Sequence, residues 1–147
     1  VTAIARGGEC EPARSMFAAD KASRALGIEI VDLRAGAATT TVTVGEAMVN
    51  GHGITHGGYV FLLADTTFAL ACNSRGDAAV AARADIRFLR ATRLGDVLTA
   101  TAIERERFGR NGLYDVTVRR GDEVIAEFRG DSRTLPSGPA RGGPDLS

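Results

Sequence analysis

Residues 59–72 read YVFLLADTTFALAC, an apolar run interrupted only by Asp65, Thr66 and Thr67, and nothing else in the chain limits the fold so tightly. Gly57 and Gly58 precede the run and Arg75-Gly76 follows it, so the spacing predicts a helix over about residues 58–74. Such a helix is apolar on nearly every side and has to be surrounded by other elements. It is also shorter than the roughly 20 residues needed to span a bilayer, which makes it a core element and not an anchor.

The surrounding material is legible as strands. Before the helix, GIEIVDLRAG and AATTTVTV read as two strands joined by the Gly-bearing turn RAGA. After it come AAVAARADIRFLR, DVLTATAIERERF, LYDVTVRRG and EVIAEFRGDSRTL, each with partial alternation. Tyr114, Val116 and Val118 share a face, and Val124, Ala126 and Phe128 continue it beyond RRGDE, so the last two strands are expected to form a tight antiparallel hairpin. At the start, EPARSMFAADKASRALG reads as one helix of about residues 12–26, with Pro12 in its first turn, Gly27 as its stop and Met16, Ala19, Ala22 and Leu26 as its stripe. The tail, residues 136–147, has Pro and Gly without periodicity and is expected to be disordered. The order is α, β, β, long α and four β, an α+β chain whose antiparallel sheet should curl around the single long helix. A length of 147 residues with 44% apolar composition suits one domain, residues 1–135.

The stretch NGHGITHGG, residues 50–58, leads into the helix. Glycine there leaves backbone amides unshielded, and the first N–H groups of a helix have no partner within it, so a carbonyl oxygen placed against Gly57 would be polarised. The competing reading is a Gly-rich turn capped by His56. Asp65 bears on the choice. A carboxylate on a buried helix is unfavourable by several kcal/mol unless it is paired, hydrated or held for chemistry, where it would serve as nucleophile or general base. Eight residues separate it from Gly57, about 12 Å of helix rise, too far for both to act on one carbonyl carbon within a single chain. Two antiparallel helices across a two-fold axis would remove that difficulty, so the spacing predicts a homodimer with two identical sites.

With HGG, then LAD seven to nine residues after His56, then DIRFLRATRLGD, the chain resembles the hotdog-fold acyl-CoA thioesterases, and NGHGITHGGYVFLLADTTFALACNSRG is similar to their phenylacetic acid degradation type, PaaI. The resemblance spans about residues 15–135. It implies a curved antiparallel sheet around one long helix, a sheet continuous across a dimer, and dimers paired into tetramers. It makes Gly57 the backbone donor to the thioester carbonyl, Asp65 of the other chain the catalytic carboxylate, Asn50 an amide positioning water or carboxylate, and His56 the residue orienting loop and thioester. Gly58 would border the substrate. Phe88 and Asn111 would lie beside the pantetheine, and Arg90, Arg93, Arg110 and Arg133 offer charge to the CoA phosphates, although an Arg alternating with apolar residues is also an ordinary solvated strand face. Some relatives place a hydroxyl near the carboxylate from the strand after the helix; here that stretch offers Ala81 or Ala82. The implied activity is hydrolysis of acyl-CoA, with phenylacetyl or hydroxylated phenylacetyl groups favoured and medium-chain aliphatic groups as rivals.

Other functions have little in the sequence to support them. With 18 basic and 18 acidic residues the net charge is zero, which gives neither nucleic acid nor an anionic membrane surface an electrostatic reason to bind. His52, His56 and Cys72 lack further ligands at metal-site spacing, so no metal is expected, and no cofactor beyond the CoA of the substrate. Cys10 and Cys72 are the only two cysteines, and Val1 to Cys10 lacks a basic start followed by an apolar stretch, so a reduced, cytoplasmic protein is expected. Arg-Gly-Asp recurs at 75–77, 120–122 and 129–131, as composition alone would produce.

Overall fold

A computed structural model describes residues 8–136; the tail expected to be disordered lies, beyond Pro136, outside them. Two short helices, α1 (Glu11–Ala18) and α2 (Lys21–Leu26), precede the hairpin β1 (Glu29–Arg34) and β2 (Ala37–Thr43). The central helix α3 (Gly57–Cys72) follows, then β3 (Ala79–Phe88), β4 (Val97–Phe108), β5 (Asn111–Arg120) and β6 (Glu123–Thr134). All six strands form one antiparallel sheet in the order β1-β2-β4-β5-β6-β3, and α3 contacts every one of them. This is the curved sheet around a single helix that the pattern demanded. Among the described residues no helix is long and apolar enough to cross a membrane.

The inward faces explain the close fit. Ala38, Ala100, Ala102, Ala126 and Gly130 are small and buried where the sheet faces α3, while the helix supplies Leu63, Phe68 and Leu70. At Gly130 a Cβ would lie 2.8 Å from Cζ of Phe68, so only glycine admits that ring at this point on β6. The Phe68 ring in turn meets Phe128 and Tyr114 edge-on or tilted, both at 5.6 Å. Thr67 is tolerated in the core because its hydroxyl donates to the Leu63 carbonyl at 2.7 Å and meets the Thr40 hydroxyl at 2.7 Å.

Three sequence expectations are corrected. The single helix over 12–26 is two helices, because Asp20 takes an extended conformation (φ −81°, ψ 93°) and caps α2, its carboxylate accepting from the Ser23 N–H at 3.0 Å. The stripe holds only at Met16 and Leu26, which pack against the core, whereas Ala19 and Ala22 are exposed and Ala13 and Ser23 are buried. The central helix starts at Gly57 and ends at Cys72, where the Asn73 side chain binds the Ala69 carbonyl and both backbone groups of Ala79, closing it before Arg75-Gly76. In the last hairpin Tyr114, Val116 and Val118 do pair with Gly130, Phe128 and Ala126, but a bulge after Val118 puts Val124 opposite Arg119 and buries Ile125 in its place.

One face of α3 stays uncovered. Gly58, Phe61, Leu62, Asp65 and Ala69 form a stripe at helical spacing, and each is at least partly exposed although the rest of the helix is mostly buried. The edge strand β3 is likewise paired on one side only, with β6.

Candidate active site

The loop before α3 is built by its own polar groups. Asn50 N–H donates to the Ile54 carbonyl at 2.8 Å, and its Oδ1 accepts from the N–H of His52 at 2.9 Å and of Ile54 at 3.3 Å. Gly53 turns the loop with φ +76°. Thr55 then anchors the strand of chain entering the helix: its N–H donates to the Thr92 carbonyl at 2.8 Å, and its hydroxyl accepts from the Thr92 hydroxyl at 2.7 Å. His56 N–H donates to the Met48 carbonyl at 2.7 Å. These bonds fix where α3 begins.

At that start, His56 is the N-cap, and its Nδ1 accepts from the Gly58 N–H at 2.9 Å. The bond requires an unprotonated Nδ1, which places the proton of a neutral ring on Nε2. Tyr59 and Val60 N–H groups turn to the His56 carbonyl. Among the described residues the Gly57 N–H alone of these has no acceptor, so the cap and the amide donor are compatible features of one helix start.

Gly57 opens onto a groove of about 350 Å3. It is walled by the segment Phe88–Thr92 together with Asn50, Ile54, Thr55, Val60 and Ile125. Phe88 lies over Gly57, whose added Cβ would sit 3.1 Å from the ring, and is still 54% exposed, so apolar surface remains open to a ligand. The Ile125 bulge holds this wall, its carbonyl accepting from the N–H groups of both Leu89 and Arg90. Arg120 braces the next turn through Asp96 at 2.9 Å and the Ala91 carbonyl at 3.3 Å. A larger hollow, about 590 Å3, lies on the outer face of the sheet. It includes no residue of α3, and several of its charged groups are already engaged, as in the Arg129–Asp115 pair and the Thr117–Glu127 bond.

The groove unites Asn50, Gly57, Phe88 and Arg90. Arg90 is partly engaged there, binding the Val124 carbonyl at 2.5 Å and approaching Glu123 at 3.4 Å. Arg93 stands just beyond the lining, exposed and without an ion pair among the described residues. The remaining sequence candidates lie elsewhere. Asn111 pairs with Arg133 across β5 and β6, Arg110 occupies the adjoining turn, and all three are at the opposite end of the sheet from Phe88, which pairs with Ala126. From Ala126 to Arg133 is seven strand residues, about 23 Å, so one protomer does not bring the two groups together. Asp65 also lies apart, two turns along α3 on its uncovered face.

Asp65 makes no hydrogen bond or ion pair among the described residues, and burial, followed by the nearby negative charge of Asp20, holds its carboxyl above the usual carboxylate range. Ala81 and Ala82 are both exposed on the edge strand and supply no hydroxyl. Thr55, Thr92, Ile125 and Arg120 were not singled out from the sequence. Only a bulge in the β6 register reveals the role of Ile125, and only tertiary contact pairs the two threonines across 37 residues.

A sequence model of the thioesterase superfamily matches residues 52–127, more than half of the chain. The chain is 46% identical over 124 residues to the acyl-coenzyme A thioesterase PaaI of Escherichia coli strain K12, covering 84% of this chain and 89% of that one. In three dimensions it is similar to the E. coli PaaI protein from the phenylacetic acid degradation operon, with a TM-score of 0.84, 43% identity and coverage of 88% and 94%. It is also similar to a hypothetical thioesterase protein with coenzyme A from Streptococcus pneumoniae TIGR4, with a TM-score of 0.70, 27% identity and coverage of 73% and 87%. A sheet curled around one helix, a Gly-led helix start open to a groove and a carboxylate two turns further along are thus found in a chain that belongs to the thioesterase superfamily and has its hotdog fold.

Proposed function

We propose that this protein hydrolyses acyl-CoA thioesters to the free acid and CoA in a site made by two copies of the chain, with phenylacetyl or hydroxylated phenylacetyl groups as the acyl part. The observation that carries the reading is the unengaged Gly57 N–H at the mouth of an apolar groove, together with an unpaired Asp65 on the uncovered face of the same helix. The names of the E. coli relative and structure support the acyl-CoA and phenylacetate assignments, and the coenzyme A in the S. pneumoniae structure supports the leaving group.

The dimer follows from what one protomer leaves apart. Phe61 is midway between Gly57 and Asp65, so two α3 helices crossing antiparallel there would place each Gly57 against the Asp65 of the other copy. Phe61 and Leu62, half-buried on the open stripe, would fill the seam. Antiparallel pairing of the two β3 edges would also bring the Phe88 end of one sheet to the Arg133 end of the other. Arg110, Asn111 and Arg133 of one copy would then join Phe88, Arg90 and Arg93 of its partner around one CoA. Pairing of dimers into a tetramer and a cytoplasmic location complete the proposal.

In the reaction the thioester carbonyl oxygen accepts from Gly57 N–H, which stabilises the negative charge that develops on it. Asp65 either attacks the carbonyl carbon, forming an anhydride that water then cleaves, or removes a proton from an attacking water. On both routes the C–S bond breaks, CoA leaves as thiolate and takes up a proton, and no cofactor is required. Asp65 acts ionised on both, and the burial that raises its pKa makes it the stronger base once ionised. His56, with Nδ1 held by Gly58, keeps the helix start in place. Medium-chain aliphatic thioesters are the second reading, favoured by the apolar lining of Ile54, Val60, Leu89 and Ile125, which makes no demand for an aromatic ring.

Thiol release measured with a chromogenic reagent on phenylacetyl-, hydroxyphenylacetyl- and hexanoyl-CoA tests the proposal. Turnover is expected to be highest on the aromatic thioesters and to fall by roughly 100-fold or more in Asp65→Asn, the scale of a principal catalytic group. Preference for hexanoyl-CoA would select the aliphatic reading. CoA binding without turnover of any thioester would make the chain a binding module.

A further inference from the structure

Three pairs of hydroxyls meet among the described residues, and two of them end on a protein acceptor. Thr67 gives its proton to the Leu63 carbonyl at 2.7 Å, so Thr40, 2.7 Å away, donates to Thr67. Ser23 gives its proton to Asp20 Oδ2 at 2.6 Å, so Thr66, 2.8 Å away, donates to Ser23. The third pair ends differently. Thr92 donates to Thr55 at 2.7 Å, and among the described residues the Thr55 hydroxyl proton has no acceptor. Thr55 and Thr92 are 6% and 2% exposed, and both line the groove that opens at Gly57.

A buried hydroxyl proton without an acceptor is unfavourable, and such groups are nearly always satisfied. Pinning the loop does not account for the pair, because the Thr55 N–H already joins the same two residues through the Thr92 carbonyl at 2.8 Å. Valine at both positions would keep the shape and leave no orphan donor. What the threonines add is an O–H, oriented by Thr92, on a groove otherwise lined mostly by apolar groups such as Ile54, Val60, Leu89 and Ile125. A single donor in such a setting fixes the orientation of a ligand that carries an acceptor.

We propose that Thr55 is a substrate-binding, specificity-determining residue whose hydroxyl donates to the carbonyl oxygen of the first amide of the pantetheine arm, so that the site reads the leaving group as well as the acyl group. The inference rests on acyl-CoA hydrolysis with the thioester carbonyl held by Gly57 N–H. Thr92 stands between Arg90 and Arg93, whose cations suit the phosphates at the far end of that arm, so the pair lies on the leaving-group side of Gly57. His56 is extended (φ −62°, ψ 131°), which separates residues 55 and 57 by about 7 Å. In an acyl-CoA the thioester carbonyl and the first amide carbonyl are joined through the sulfur, two methylenes and a nitrogen, a span of similar length. The other polar groups beside the pair have partners already: Asn50 Oδ1 accepts from the His52 and Ile54 N–H groups, and Arg90 donates to the Val124 carbonyl.

The test puts one acyl group, phenylacetyl, on three leaving groups: CoA, N-acetylcysteamine, which keeps the first amide, and a straight-chain alkanethiol of matched length, which has none. kcat/KM is measured on the full chain for wild type, Thr55→Val, Thr55→Ser and the double variant Thr55→Val/Thr92→Val, which leaves no orphan hydroxyl. The ratio of the N-acetylcysteamine to the alkyl thioester is expected to fall about 10-fold in both valine variants, the scale of one hydrogen bond, and to hold in Thr55→Ser. An unchanged ratio, or equal loss on all three leaving groups, would overturn the inference and leave Thr55 a structural residue. A loss that follows a ring hydroxyl on the acyl group in place of the leaving group would overturn it as well and assign the donor to the acyl side. Calorimetry reads the contact without turnover: Thr55→Val should bind CoA about 10-fold more weakly than wild type and adenosine 3′,5′-bisphosphate equally well. Wild type that hydrolyses none of the thioesters would overturn the hydrolase reading beneath the inference, and equal affinity of wild type and Thr55→Val for CoA would overturn the contact itself.

Discussion

Burial of the Asp65 carboxyl has a consequence for stability as well as for chemistry. Its folded-state pKa lies above the unfolded value, so the protonated form is the one the fold favours. The contribution is fully present below the unfolded pKa and is lost as pH rises through the folded pKa, leaving an ionised, unpaired group that destabilises at neutral pH. Asp65→Asn is therefore expected to raise the melting temperature at pH 7 while abolishing turnover, with the gain shrinking toward pH 4; thermal scans at both pH values check it. The cysteines make the thiol-release assay clean. Cys10 and Cys72 are 1% and 7% exposed and burial pushes both thiols up, so native protein should give almost no fast reaction with the reagent and two thiols after denaturation. A native thiol reacting at the free-cysteine rate would contradict the packing of α1 or α3.

At the scale of elements, the helix and sheet approach each other through small residues, and Gly130 is the tightest point. Its substitution by Ala would put Cβ 2.8–3.0 Å from three atoms of the buried Phe68 ring, which is itself enclosed by Tyr114 and Phe128. We expect Gly130→Ala to lose about 1–3 kcal/mol by overpacking, read as a lower denaturant midpoint with unchanged slope. Gly57→Ala differs, because Phe88 is more than half exposed and free to give way. That variant should fold normally and lose activity by occluding the amide. The strands and α3 were legible in the sequence because alternation and a continuous apolar run report burial directly. The break at Asp20 was not, since Asp-Lys-Ala-Ser reads equally as helix interior until Ser23 is seen to need Thr66.

For the molecule as a whole, the unpaired edge of β3, the open stripe of α3 and the divided CoA-binding candidates point to one assembly. An inter-subunit site makes a prediction that a site within one chain does not. Asp65→Asn and Gly57→Val are each expected to be inactive alone, and co-refolding them in equal amounts should restore about a quarter of wild-type activity, since half of the dimers are mixed and each holds one intact site. No restoration, with mixed dimers shown to form, would place Gly57 and Asp65 of the same chain in one site and overturn the inter-subunit reading. Phe61→Arg should give monomers on a sizing column and lose activity together with the seam.

Local pattern determined much of this protein. The 3.6-residue and two-residue periods, the glycines at 57 and 58 and a lone carboxylate in an apolar run specify the α+β order, the helix start and Asp65, because each depends on residues near one another in the chain. The distance from Gly57 to Asp65 is also what leads the sequence to call for a second chain, which the mixed-dimer experiment tests. Tertiary structure alone decided the rest: which amide at the helix start stays free once His56 has taken Gly58, which hydroxyls meet across the core, and which arginines share an end of the sheet. Those outcomes depend on strand register and on a one-residue bulge at Ile125, where contacts far apart in sequence compete and no local pattern records the winner.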